Sequence, residues 1–147
     1  IIYLFLLIGV FGIILSLQKD DKPIELISDL KGLYNNHPFI SICLLIFMFS
    51  LAGIPPLSGF FGKWLIFFAA IDNQFYVLAI LGVLFSVISA FYYPKIIRFM
   101  FFENTDVPLV VVNTKETRFL IYISLFISVL FFILFPVMDY FILNIKI

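Results

Sequence analysis

The feature that most constrains this chain is an apolar run from Pro38 to Ile71, interrupted once by Gly53-Ile54-Pro55-Pro56. As one straight helix the run would be roughly 50 Å long at about 1.5 Å per residue, against a hydrocarbon core of about 30 Å. The two prolines remove backbone donors and clash with carbonyls a turn earlier. Gly53 and Gly59 flank them and permit non-helical dihedrals. The run is therefore predicted to form two half-helices joined by an irregular segment.

Three further apolar stretches accompany it, so the predicted fold class is all-α transmembrane with four spans in one helical domain over residues 1–147. They cover about 1–17, 38–71 (broken), 75–102 with a kink near Pro94, and 117–143 with Pro136 near its end. Residues around Pro23 to Leu30 suggest a short amphipathic helix at the interface. Composition supports lipid as the solvent, because 64% of residues are hydrophobic and only 12% are charged. A soluble domain is about half apolar and about a quarter charged.

Basic residues set the expected orientation. Lys19, Lys22 and Lys31 follow span one, and Lys95, Arg98, Lys115 and Arg118 lie between spans three and four. The loop after span two carries Asp72 without Lys or Arg, and the C-terminal tail only Lys146. Both basic loops are expected on the positive-inside face. The formal net charge is zero, which leaves no nucleic-acid footprint. Cys43 stands alone, so no internal disulfide or metal cluster can form on cysteine.

Lys63 lies well inside the apolar run. A lysine at the bilayer centre costs about 2.5–3.5 kcal/mol on insertion scales, so such a residue marks a bundle interior or a hydrated cavity more often than not. The alternative is a side chain that snorkels to the interface. The nearby break frees carbonyls of one half-helix and amides of the next, and irregular backbone at membrane depth survives only in protein or against water. Lys63 is the expected titratable group at the break, able to give and take protons, and Ser50, Gly53, Pro55, Pro56, Ser58, Gly59 and Gly62 are expected to shape the break and its water.

Secondary candidates are weaker. Gly82, Ser86 and Ala90, spaced by four, form a small-residue stripe expected to serve packing. Lys95 and Arg98 beside Tyr92 and Tyr93 read as an interfacial anchor, with an anionic lipid such as cardiolipin or a proton route as the functional alternatives. His37 before Pro38 is an interfacial or capping residue, or lines a water entrance. Asp29 reads as a cap and Asp139 as an interfacial charge. Gly59 to Lys63 is no phosphate loop, since the glycine spacing and a following Ser or Thr are absent. No Cys or His cluster suits a redox centre, so no cofactor is expected on this chain.

The stretch Ser50-Leu51-Ala52-Gly53-Ile54-Pro55-Pro56-Leu57-Ser58-Gly59-Phe60-Phe61-Gly62-Lys63-Trp64 resembles the signature of NADH dehydrogenase subunit 2, called NuoN in bacteria. Asp29 to Leu33 with Pro38, and Ser89 to Tyr93 followed by Lys95 and Arg98, are similar to the family's flanking segments. Subunit 4 proteins usually carry glutamate where Lys63 stands, and subunit 5 proteins usually read Tyr-Ser-Lys-Asp over Phe61 to Trp64. The resemblance implies an antiporter-like membrane-arm subunit of respiratory complex I, with this chain forming the last four of fourteen helices. Lys63 would be the proton-path lysine of the discontinuous twelfth. NADH, FMN, iron–sulfur clusters and quinone would be handled by other subunits. Implied partners are other membrane-arm subunits, among them a chain supplying the missing N-terminal helices and a subunit 4-type neighbour. The implied setting is the mitochondrial inner membrane, multi-pass, with bacterial and plastid membranes as alternatives. AT-rich-codon residues (Ile, Phe, Lys, Asn, Tyr) and a mere two arginines agree with an organellar genome. Competing readings are a multisubunit cation/proton antiporter subunit and a purely structural membrane-arm subunit.

Overall fold

The computed structural model describes residues 2–55, 57–105, 107–112 and 114–145, with side chains of the last helix described at 115–131, 133 and 134. The expected half-helices are present. Helix α1 spans Ile2–Ser16, a short α2 covers Leu33–Asn36, α3 runs Pro38–Ala52 and α4 runs Ser58–Asp72. Helices α5 (Tyr76–Ala90) and α6 (Tyr92–Phe102) follow, and α7 spans Lys115–Ile145. Pro38 opens α3, where its missing N–H is one of the unpaired donors of any helix start.

The core is the seam between α1 and α3. Leu6, Val10, Ile13 and Leu17 recur at helical spacing and meet Leu44, Phe47, Met48 and Leu51, with Met100, Leu109 and Ile121 closing the cluster. Helix α7 packs along α1, where Gly12 faces Ile121. Helices α4 and α5 differ, because Trp64, Leu65, Ile66, Phe68 and most of residues 75–91 present apolar side chains outward. Among the described residues, the stretch Tyr76–Phe102 is long and apolar enough by itself to cross a membrane. Ile2–Ser16 and Pro38–Ala52 are shorter apolar helices.

Two expectations require correction. The segment after α1 is not an amphipathic interfacial helix. It is a hairpin of β1 (Leu17–Lys19) and β2 (Lys22–Pro23), followed by a 3₁₀ turn at Ile27–Leu30. The reason is local: Asp20 and Asp21 both take positive φ, 51° and 60°, which makes the two-residue turn whose twist suits a hairpin. The Asp29 carboxylate then accepts the Leu26 amide at 2.9 Å and closes the next turn. The fold is also not wholly helical, since β3 (Val110–Val111) pairs with β1 to complete a small sheet in the order β2-β1-β3.

These pairings bring the two basic segments to one end of the bundle. Glu103 binds Lys31 at 2.9 Å and Arg98 at 3.5 Å, and the Gly32 amide donates to the Phe99 carbonyl. Residues 76–102 rise about 40 Å at 1.5 Å per residue, which carries the turn between α4 and α5 to the opposite end. Pro136, Asp139 and Lys146 lie outside the described side chains.

Candidate functional site

Helix α3 ends in a Schellman arrangement. Gly53 is left-handed (φ 84°, ψ 34°), its amide donates to Ser50 O at 3.0 Å, and the Ile54 amide donates to Phe49 O at 3.1 Å. This satisfies the carbonyls of Phe49 and Ser50 but leaves that of Ala52 pointing beyond the helix end, at the negative pole of the α3 dipole. Lys63 fills that vacancy: its Nζ donates to Ala52 O at 3.2 Å. A Cβ on Gly53 would sit 3.1 Å from Lys63 Cδ and 3.4 Å from Nζ, on a backbone that already favours glycine.

The other half of the joint is held by buried hydroxyls. The Gly59 amide, one of the unpaired donors at the start of α4, donates a hydrogen bond to Ser50 Oγ at 2.9 Å. Ser50 Oγ lies 3.0 Å from Ser58 Oγ, which lies 3.0 Å from Ser128 Oγ on α7. All three serines are buried. A Cβ on Gly59 would overlap the Ser50 carbonyl, so only glycine permits this approach of α4 to α3. The Tyr3 hydroxyl donates to Gly59 O at 3.2 Å, and its ring lies against Gly62, where a Cβ would come within 3.2 Å of Cε2.

Lys63 also faces a cavity of about 210 Å³, lined by Ala52, Gly53, Phe67, Ser86 and Ala90 among others. The small-residue stripe on α5 thus divides. Gly82 packs under Phe67, while Ser86 and Ala90 leave the space beside the lysine open. Among the described residues the ion pairs are Lys19–Asp29, Lys31–Glu103 and Arg98–Glu103, and none involves Lys63. Among the described residues the ammonium is therefore matched by a carbonyl dipole.

The structure brings together Ser50, Gly53, Ser58, Gly59, Gly62 and Lys63. Pro55 stands exposed in the linking turn, and Pro56 lies outside the described residues. Lys95 and Arg98 do not join this site; Arg98 turns to Glu103 near the basic end. His37 is distant in role as well, because its Nε2 lies 2.9 Å from Leu109 O. A carbonyl only accepts, so that nitrogen carries the proton and ties α3 to the segment before α7. His37 also lines a cavity of about 300 Å³ with Arg118 and Tyr122. Sequence reasoning missed Tyr3 and Ser128, placed Ser86 in a packing stripe, and expected freed carbonyls at the break without singling out that of Ala52. Ser124 and Ser128, one turn apart in an apolar helix, were the one available signal.

Residues 1–89 match the family model described as NADH:quinone oxidoreductase/Mrp antiporter, transmembrane. NADH-quinone oxidoreductase subunit N of Rhodospirillum rubrum is 46% identical over 108 residues, covering 74% of this chain and 22% of that protein. The subunit N of Parvibaculum lavamentivorans is 42% identical over 133 residues, covering 90% of this chain and 28% of the relative. That of Pelagibacter ubique is 50% identical over 103 residues, with 70% and 22% covered. The chain thus spans about a fifth to just over a quarter of the lengths of these bacterial relatives. A chain of respiratory complex I from Thermus thermophilus, solved with bound aureothin, superposes with a TM-score of 0.70 at 26% identity. The match covers 88% of this chain and 31% of the other. By the extent of the match over residues 1–89, the chain belongs to the NADH:quinone oxidoreductase/Mrp antiporter transmembrane family.

Proposed function

We propose that this chain is the C-terminal part of a proton-translocating membrane-arm subunit of an NADH:quinone oxidoreductase, with Lys63 as a proton relay at the helix break. The observation that carries the reading is the position of the Lys63 ammonium. It caps the Ala52 carbonyl at the end of α3, faces a cavity, and has no carboxylate partner among the described residues. A charge held by one dipole can be discharged and recharged with little rearrangement, because no ion pair must be broken first. The space beside it, lined mostly by apolar side chains, leaves the amine reachable from outside the joint between α3 and α4. Ser50, Ser58, Gly59 and Gly62 keep the two half-helices close, so the freed carbonyl stays within the lysine's reach.

In this reading all four helical segments cross the bilayer and the basic end, with Lys31 and Arg98, faces the positive-inside compartment. The outward apolar faces of α4 and α5 are covered by lipid and by the helices that the relatives possess beyond this length. Redox cofactors reside on other subunits. Composition supports a mitochondrial inner membrane, with many Ile, Phe, Lys, Asn and Tyr and few Arg; the relatives quoted above are bacterial.

The test is Lys63→Ala in the intact complex, reconstituted in vesicles. Proton translocation coupled to NADH oxidation is expected to be abolished or strongly reduced, because the relay's proton-transfer group is lost. An unchanged stoichiometry would refute the relay. A cation/proton antiporter is the second reading, since the family model embraces both kinds of protein. Co-purification with NADH-oxidising subunits decides for the oxidoreductase.

A further inference from the structure

We infer that Ser128 on α7 is a positioning residue for Lys63, acting through the row of hydroxyls Ser128–Ser58–Ser50. This deepens the relay reading and rests on it. The row begins 2% exposed at Ser128 and passes through Ser58 and Ser50, both fully buried. It ends on the Gly59 amide. Ser50 lies two residues before Ala52, whose carbonyl receives the amine. Ser58 lies five residues before Lys63 on the same rigid helix. Fixing Ser58 to Ser50 therefore fixes the first turn of α4 against the last turn of α3, and with it the 3.2 Å contact of Lys63 Nζ with Ala52 O.

Each hydroxyl carries one proton and two acceptor sites. Ser58 uses its capacity on two partners, one in the joint and one on α7. Without Ser128, Ser58 loses its partner on α7, and among the described residues the Tyr3 hydroxyl on Gly59 O is the remaining hydrogen bond from outside the broken helix to that turn. Helix α7 packs on α1, so Ser128 couples the joint to the best-packed part of the bundle. The same face of α7 supplies a control. Ser124, one turn earlier, is also fully buried, yet its hydroxyl has no partner among the described residues.

The experiment measures proton translocation by the intact complex in vesicles across pH. Ser128→Ala is expected to lower the coupled rate roughly threefold to tenfold, the effect of one buried hydrogen bond, and to displace the pH profile by about half a unit or more. Ser128→Thr restores both, and Ser124→Ala changes neither. The Ser58→Ala/Ser128→Ala double variant performs no worse than Ser58→Ala, since both remove one network. Where Ser128→Ala does not assemble, Ser128→Thr against Ser128→Val carries the same test, the hydroxyl-bearing variant alone keeping the rate and profile. Parental behaviour of Ser128→Ala, equal losses in Ser124→Ala, equal behaviour of the Thr and Val variants, or additive losses at Ser58 and Ser128 overturn the inference. If Lys63→Ala abolishes pumping while Ser128→Ala leaves it intact, only the role of Ser128 falls. If Lys63→Ala pumps normally, the relay itself falls.

Discussion

Two helices of this chain are interrupted at proline-containing segments, and the two interruptions differ in kind. Between α3 and α4 the backbone leaves the helical region completely, through left-handed Gly53 and extended Leu57. Between α5 and α6 the joint residue Phe91 keeps right-handed helical dihedrals, φ −69° and ψ −26°, and Pro94 costs only the bond its missing N–H would make to the Ala90 carbonyl. At the first joint side chains tie the two helix ends, Ser50 taking the Gly59 amide and Lys63 the Ala52 carbonyl, while Ile54 and Pro55 of the linking turn stay exposed. The second is open, with Phe91 83% exposed. A proline alone bends a helix. A full break in an apolar setting also needs a glycine to turn the chain and polar side chains to satisfy what the turn exposes.

Glycine chemistry gives the largest way to break this comparison. Gly59→Ala sets a methyl group onto the Ser50 carbonyl, a backbone atom that cannot swing aside. The expected cost is about 3 kcal/mol or more, read as a lower melting temperature or lost assembly of the complex. Pro94→Ala at the second joint should be mild. It returns an N–H to the Ala90 carbonyl and is expected to change stability by less than about 1 kcal/mol, with proton translocation unaltered. Equal effects at the two joints would erase the distinction between them.

The smallest effect sharpens the comparison by lying outside both joints. Asp29 is held below the usual carboxylate range, chiefly by the Leu26 amide, with help from the Glu25 amide and Lys19. A depressed carboxylate stabilises the fold above its unfolded pKa, and that contribution is lost as pH falls through the lower folded value. Acidification through that range should therefore lower the protection of the Leu26 amide, read as its exchange rate relative to the intrinsic rate at each pH, and Asp29→Asn should remove this dependence. Exchange at Gly59, whose partner is a neutral hydroxyl, should not follow the same titration.

The helix ends and the break were legible because they depend on local chemistry. Pro38 starts α3, Gly53 stops it, and Lys63 is conspicuous in any apolar run. The hairpin at Asp20-Asp21 was not read, since aspartate tolerates positive φ without demanding it, and the pairing that fixes it comes partly from β3, some ninety residues further on. The stripe Gly82, Ser86 and Ala90 was read as packing throughout. Only the placement of Phe67 decides which of its members meet a neighbour and which leave a cavity.

By itself the sequence determined where the long helices of this chain lie, where the second must break, and which ionisable side chain stands near that break. Hydrogen-bond periodicity, proline's missing donor and the cost of burying charge all act within a few residues. Only the tertiary structure decided that the Lys63 amine lands on the Ala52 carbonyl, that Ser128 from a distant helix completes the hydroxyl row, and that Tyr3 closes the joint from α1. Those contacts join residues brought together by packing of whole helices, and no local rule specifies which hydroxyl meets which across such a separation.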